Sequence, residues 1–124
     1  MILLPPSLRA LLLINGAAET ETDHVPVVKF FNPLGAGRWL VTEMDQDSDT
    51  LFGLADLGEP ELGSFSLAEI EAVRLPFGLT IERDLYFSTG LPLSVWTAAA
   101  RRTGSISAAE TLLKVIARRD GGGP

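Results

Sequence analysis

The chain has 124 residues, a mass of 13.3 kDa, 46% hydrophobic residues and a formal net charge of −6. That length gives one domain able to bury roughly two-thirds of its unfolded surface, and the apolar content is that of a globular chain. Without cysteine, and with His24 the single histidine, disulfides, a thiolate nucleophile, cysteine zinc sites and any site needing two imidazoles from one chain are excluded.

In chain order, Pro5 and Pro6 suit a first helical turn, where a missing N–H costs nothing. Leu8, Leu11 and Leu12 then make a short helix closed by Asn15 and Gly16. Its apolar run is far below the roughly 20 residues that span a bilayer. The start, with Arg9 after two prolines, lacks the charged region and cleavage site of a secretory signal, so a soluble, cytoplasmic protein is expected. Residues 17–24 are polar and acidic and read as a loop. From Val25 the pattern becomes that of strands: 25–31, a turn at 32–37, 38–44, an acidic loop at 45–50, and 51–57. Turns this short favour antiparallel neighbours. Gly58, Glu59 and Pro60 punctuate before a brief extended piece at 62–65.

Ser66 is placed as an N-cap, with Glu69 three residues on to complete a capping box and with Phe65 and Ile70 as a hydrophobic staple. Leu67, Ile70 and Val73 give the helix one apolar face. After Pro76 and Gly78, Leu79, Ile81, Leu85 and Phe87 alternate with polar residues and predict a strand over 79–87. Ser88, Thr89, Gly90 and Pro92 end this core unit of residues 1–90. Two helices of a C-terminal extension over 91–119 follow. One spans 93–102, with Val95, Trp96 and Ala99 near one face and Gly104 beyond it. The other is capped by Ser107 and Glu110 and carries Leu112, Leu113 and Ile116 as its stripe. Residues 120–124, with three glycines together, are expected to be disordered.

The motifs of the first 90 residues resemble a bacterial family known as domain of unknown function 2958. The resemblance rests on Lys29–Phe30–Phe31, Trp39, Thr42–Glu43, the acidic loop 45–49, Phe52–Gly53, the helix start 62–67 and Ile81–Glu82–Arg83–Asp84, in that order. It implies a compact α+β domain, often carried on plasmids and other mobile elements, with no catalytic residues to carry over.

Several constellations invite a chemical reading. Asp45, Asp47 and Asp49, with Asp56 further on, imitate a calcium-binding EF-hand loop. Thr50 stands where that loop needs glycine, and strands flank it, so a solvated hairpin is preferred and the three aspartates remain weak Mg²⁺ or Ca²⁺ candidates. Strand alternation sends Arg83 to the apolar face, where a guanidinium must be paired. Glu43 and Glu69 are its candidate partners, which with Asp84 makes either a buried ion-pair network or a carboxylate/arginine pocket. His24, beside Asp23, reads as a surface residue rather than a general base. The Gly35 and Gly37 pair reads as a hairpin turn, and Trp39 and Trp96 as core.

Residues 1–90 hold 14 of the 16 acids and 5 of the 10 bases, a balance of −9, against +3 for the remainder. An acidic body repels phosphate, so nucleic acid is not the expected partner. These observations together predict an α+β domain: an antiparallel sheet of four to five strands, an N-terminal helix, a central capped helix, and two C-terminal helices packed on the sheet or used for homodimerisation. The leading functional expectation is a non-catalytic interaction or regulatory protein of a mobile element, without cofactor, docking a protein partner on an acidic face. The rival is an enzyme with a carboxylate/arginine pocket of Glu43, Glu69, Arg83 and Asp84, with or without a divalent metal.

Overall fold

The connections at 32–37, 45–49 and 57–59 are too short for a crossover, and they fold the middle of the chain into a meander. The computed structural model describes residues 1–121, and the side chains of 1–119. In it, β1 (Val28–Phe31), β2 (Arg38–Met44), β3 (Thr50–Asp56) and β4 (Pro60–Ser66) are neighbours in sequence and in space. A two-residue β5 (Glu82–Arg83) pairs with the far side of β1, giving the antiparallel order β4-β3-β2-β1-β5. Helix α1 (Pro6–Gly16) precedes the sheet and α2 (Leu67–Ala72) follows β4; α3 (Leu93–Thr103) and α4 (Ile106–Gly121) close the chain. Among the described residues no helix is long and apolar enough to cross a membrane.

Period-two burial gives the sheet two apolar faces, and each needs a cover. One face, with Val28, Phe30, Trp39, Val41, Met44 and Leu51, packs against Leu12 of α1 and Leu67 and Ile70 of α2. The opposite face, with Leu40 and Leu54, packs against Leu93, Trp96 and Ala100 of α3 and Ile106 and Ala109 of α4. The C-terminal helices are therefore the second outer layer of an α/β/α stack. Val41 and Met44 differ in parity yet share a face because β2 bulges between Val41 and Glu43. Opposite the bulge sits Gly53, where any Cβ would overlap the Leu40 carbonyl oxygen; the Phe-Gly pair of β3 is thus a packing requirement.

Three expectations need correction. The strand foreseen over 79–87 is only two residues long. Asp84 turns the chain by accepting from the Tyr86 N–H at 2.9 Å, and Leu85 and Tyr86 project outward at 63% and 95% exposure. Helix α4 starts earlier than foreseen, with Ser105 Oγ accepting from the Ala108 N–H at 3.0 Å, which leaves Glu110 free for another role. Its stripe is only partly covered: Leu112 and Leu113 are half-buried, while Val115 and Ile116 are exposed. The helix also runs to Gly121, into the stretch expected to be disordered, consistent with Arg118 and Arg119 offsetting the dipole in its last turn; residues 122–124 lie outside the described residues.

Candidate functional site

The four residues proposed as one pocket or ion-pair network, Glu43, Glu69, Arg83 and Asp84, are dispersed. Arg83 pairs with Phe30 across the ladder and so does share the apolar face, but its guanidinium donates to the carbonyls of Ile2 at 2.6 Å and Leu3 at 3.0 Å. At the sheet's edge, main-chain oxygens of the N-terminal segment are nearer than any carboxylate. Glu69 is exposed on the first turn of α2. Asp84 lies 3.5 Å from the buried ammonium of Lys29, which also binds Glu110 of α4 at 3.0 Å. The buried ion pair foreseen around Arg83 thus exists around Lys29, signalled in sequence by a lysine inside the apolar run of β1.

Two of the three aspartates of the 45–49 loop, Asp47 and Asp49, are committed to neighbouring N–H and hydroxyl groups. Asp47 accepts from the Asp49 and Thr50 N–H groups at 2.9 and 2.8 Å and from the Thr50 hydroxyl at 2.6 Å. These bonds, the Thr50 hydroxyl foremost, hold its carboxyl below the usual 3.8. Asp49 accepts from the Ser66 hydroxyl at 2.7 Å and the Ala68 N–H at 2.8 Å, so it shares the cap of α2 with Ser66. Asp56 is buried and caps α4 through the Ile106 N–H at 2.9 Å. Among the described residues no group of three His, Asp or Glu side chains is placed to hold a metal ion.

Two clefts, each of about 500 Å³, open on either side of α3. The first joins the 21–24 segment, the β2 bulge and the first turn of α3. Glu43 and Phe52, cross-strand partners, form its floor with Leu62 and Thr97. Asp23 accepts from the Ser94 N–H at 3.0 Å and from the Ser94 hydroxyl, and the Leu93 N–H donates to the His24 carbonyl at 2.9 Å, which fixes the wall. His24 is therefore turned inward rather than exposed as foreseen. Its Nε2 is fully buried with no hydrogen-bond partner and lies 3.9 Å from Glu43 Oε1, beyond hydrogen-bond reach.

The second cleft lies between the 84–91 turn and α4. Phe87, Trp96 and Leu113 line it, the Phe87 and Trp96 rings tilted at 52° with centroids 5.9 Å apart. Trp96 Nε1 donates to Thr89 Oγ1 at 3.1 Å, tying the turn to α3. Asp84, Glu110 and Lys114 supply the polar rim, and Tyr86 stands at the lip. Sequence reasoning missed this cleft because it gave Tyr86 and Phe87 to a strand.

Residues 3–107 match the family described as Protein of unknown function (DUF2958), a span that continues past Gly90 through α3. No curated protein and no solved structure matches the chain.

Proposed function

We propose that this chain, which belongs to the DUF2958 family, is a non-catalytic interaction domain that docks a protein partner in the cleft between the 84–91 turn and α4. The observation that carries this reading is Tyr86, 95% exposed at the lip of a cleft lined by Phe87, Trp96 and Leu113, with Leu85 and Leu91 also exposed beside it. Exposed aromatics next to an apolar cleft are the residues that dominate protein interfaces. The Asp84 turn and the Trp96–Thr89 bond hold the lip in place, so little ordering entropy remains to be lost on binding. The acidic body of the chain suits a partner segment whose apolar anchor is flanked by basic residues. The dispersal of Glu43, Glu69, Arg83 and Asp84 supports docking over the rival carboxylate/arginine enzyme. The setting we propose, the bacterial cytoplasm and a mobile element, rests on the family resemblance and the lack of cysteine.

A photo-crosslinking phenylalanine analogue at position 86 of the full chain, in cells of the native host, tests the reading. One predominant heterologous adduct is expected, absent in Leu113→Glu and absent when the same group replaces Leu57, an equally apolar and 69% exposed residue of the β3–β4 turn. With that partner in hand, Tyr86→Ala is expected to weaken binding by about 2 kcal/mol without moving the melting temperature. Equal adducts from positions 57 and 86, or adducts with a second copy of the chain alone, would refute docking of a separate partner.

A further inference from the structure

The two edges of the sheet are finished differently. β5 is two residues long, and the N-terminal segment lies against it, with the Arg83 N–H 3.5 Å from Met1 Sδ and the Arg83 guanidinium on the Ile2 and Leu3 carbonyls. β4, at the other edge, is seven residues long and pairs with β3 alone. The Thr50 carbonyl accepts from the Asp45 N–H at 2.8 Å and the Phe52 carbonyl from the Thr42 hydroxyl at 3.2 Å, so even-numbered residues of β3 turn their backbone groups toward β2 and odd-numbered ones toward β4. Leu51–Phe65, Gly53–Gly63 and Ala55–Glu61 are then the hydrogen-bonded pairs, which leaves the N–H and C=O of Leu62 and Ser64 pointing away from the sheet. Among the described residues no hydrogen bond reaches these groups, and both residues are exposed, Leu62 at 43%. An edge of this length with neither lysine nor bulge is a template for another strand. Gly63, between them, has no task in the single chain: its backbone is not left-handed, and a Cβ added there would meet nothing within 4 Å. A glycine inside a strand weakens it and often marks the approach of another backbone.

We infer that β4 pairs with β4 of a second copy of the chain, antiparallel about a two-fold axis at Gly63. In that register Leu62 faces Ser64 of the other copy and Ser64 faces its Leu62, so each pair exchanges both N–H···O bonds and every outward group of the two residues is used. A slip of two residues sets Ser64 against Pro60, which is buried and has no N–H, or Leu62 against Ser66, whose carbonyl opens α2. The charges agree with the same register. Glu61 is the one ionised side chain of β4 and lies opposite Phe65 of the other copy, with the second Glu61 roughly 13 Å along the strand, past the screening length of about 8 Å. On the opposite face the two Leu62 side chains meet on the diagonal, which covers apolar surface that each chain alone leaves exposed. The docking cleft lies toward the other edge, beside Asp84 directly after β5, so the two surfaces do not compete.

Because the chain has no cysteine, single thiols introduced in the full chain report on the pairing. Gly63→Cys is expected to give a disulfide-linked dimer under mild oxidation, since the Cα atoms of such a non-hydrogen-bonded pair lie about 4.5 Å apart, within disulfide reach. Glu61→Cys, on the same face of the strand but far from its own copy, is expected to run as a monomer on a denaturing gel. Sedimentation of the parent is expected to show a reversible monomer–dimer equilibrium. Leu62→Lys, which sets two ammonium groups on the diagonal, is expected to raise its Kd at least about tenfold with an unchanged circular dichroism spectrum, while Tyr86→Ala leaves the equilibrium as it was. A parent that stays monomeric up to about 0.5 mM, far beyond micromolar affinity, the parent Kd retained in Leu62→Lys, or Glu61→Cys linking as readily as Gly63→Cys would overturn the pairing.

Discussion

Three hydrogen bonds converge on the carboxylate of Asp47, and they fix both its charge and its job. Because its folded value lies below 3.8, the stability it contributes is complete above the unfolded value and disappears as the pH falls through the folded one. Asp47→Asn is accordingly expected to be less stable than the parent at about pH 7, with the gap narrowing as the pH falls through the folded value and the Asp47 side chain becomes neutral like its replacement. Denaturation midpoints of the two proteins across that range check it, and a gap independent of pH would remove the charge from the account. Millimolar Ca²⁺ or Mg²⁺ is expected to leave the parent's melting temperature unchanged, since Asp47 and Asp49 already accept from protein donors and among the described residues no three carboxylates converge. The sequence displays these aspartates but not their tasks: a carboxylate that closes a hairpin loop and one that coordinates calcium can have the same spacing. The inward turn of His24 was illegible for a related reason. It depends on Asp23 and the His24 carbonyl meeting the first turn of α3, about seventy residues away.

Helix α2 shows how a cap can be local in its signal and long-range in its construction. Ser66 Oγ accepts from the Glu69 N–H at 3.2 Å as foreseen, but the second acceptor is Asp49, reached across the sheet at the Ala68 N–H. Ser66→Ala is expected to cost about 0.5 to 2 kcal/mol. Asp49→Ala is expected to cost about 2 kcal/mol, because an ionised acceptor is lost together with its bond to Ser66. The two hydrogen-bond each other at 2.7 Å, so the double variant is expected to lose less than the sum by more than about 0.5 kcal/mol. Urea midpoints for the four proteins measure that coupling, and additivity would separate the two caps. The i, i+3 spacing of Ser66 and Glu69 made the helix start legible. The element after it was over-read, since Leu79, Ile81, Leu85 and Phe87 alternate like a strand while Asp84 offers its own N–H acceptor and bends the chain away from β1.

At the scale of the molecule, the α+β class, the antiparallel meander and the order of helices were legible because each follows from local periodicity and short connections. Which face α3 and α4 would cover was not, since an apolar stripe is equally content against its own sheet or a second chain. Their place over Leu40 and Leu54, both 0% exposed, makes them part of the core. A chain ending at Gly90 is therefore expected to keep secondary structure but lose its near-ultraviolet circular dichroism and to bind a hydrophobic dye; a truncated chain with sharp native packing would show the second layer to be dispensable. The charge cluster at Lys29 has a further bearing, on the order in which the layers close. As the chain leaves the ribosome, α1, the four-strand meander and α2 are all in hand once residue 72 has emerged, and their contacts join neighbours in sequence. The carboxylates that neutralise Lys29 come later, at Asp84 and Glu110. Without them the folded meander holds no carboxylate for its ammonium, and a hydrated charge in the middle of an open apolar face disfavours pairing with another chain. The arrival of α4 then converts the same charge into the latch that ends the window of exposure.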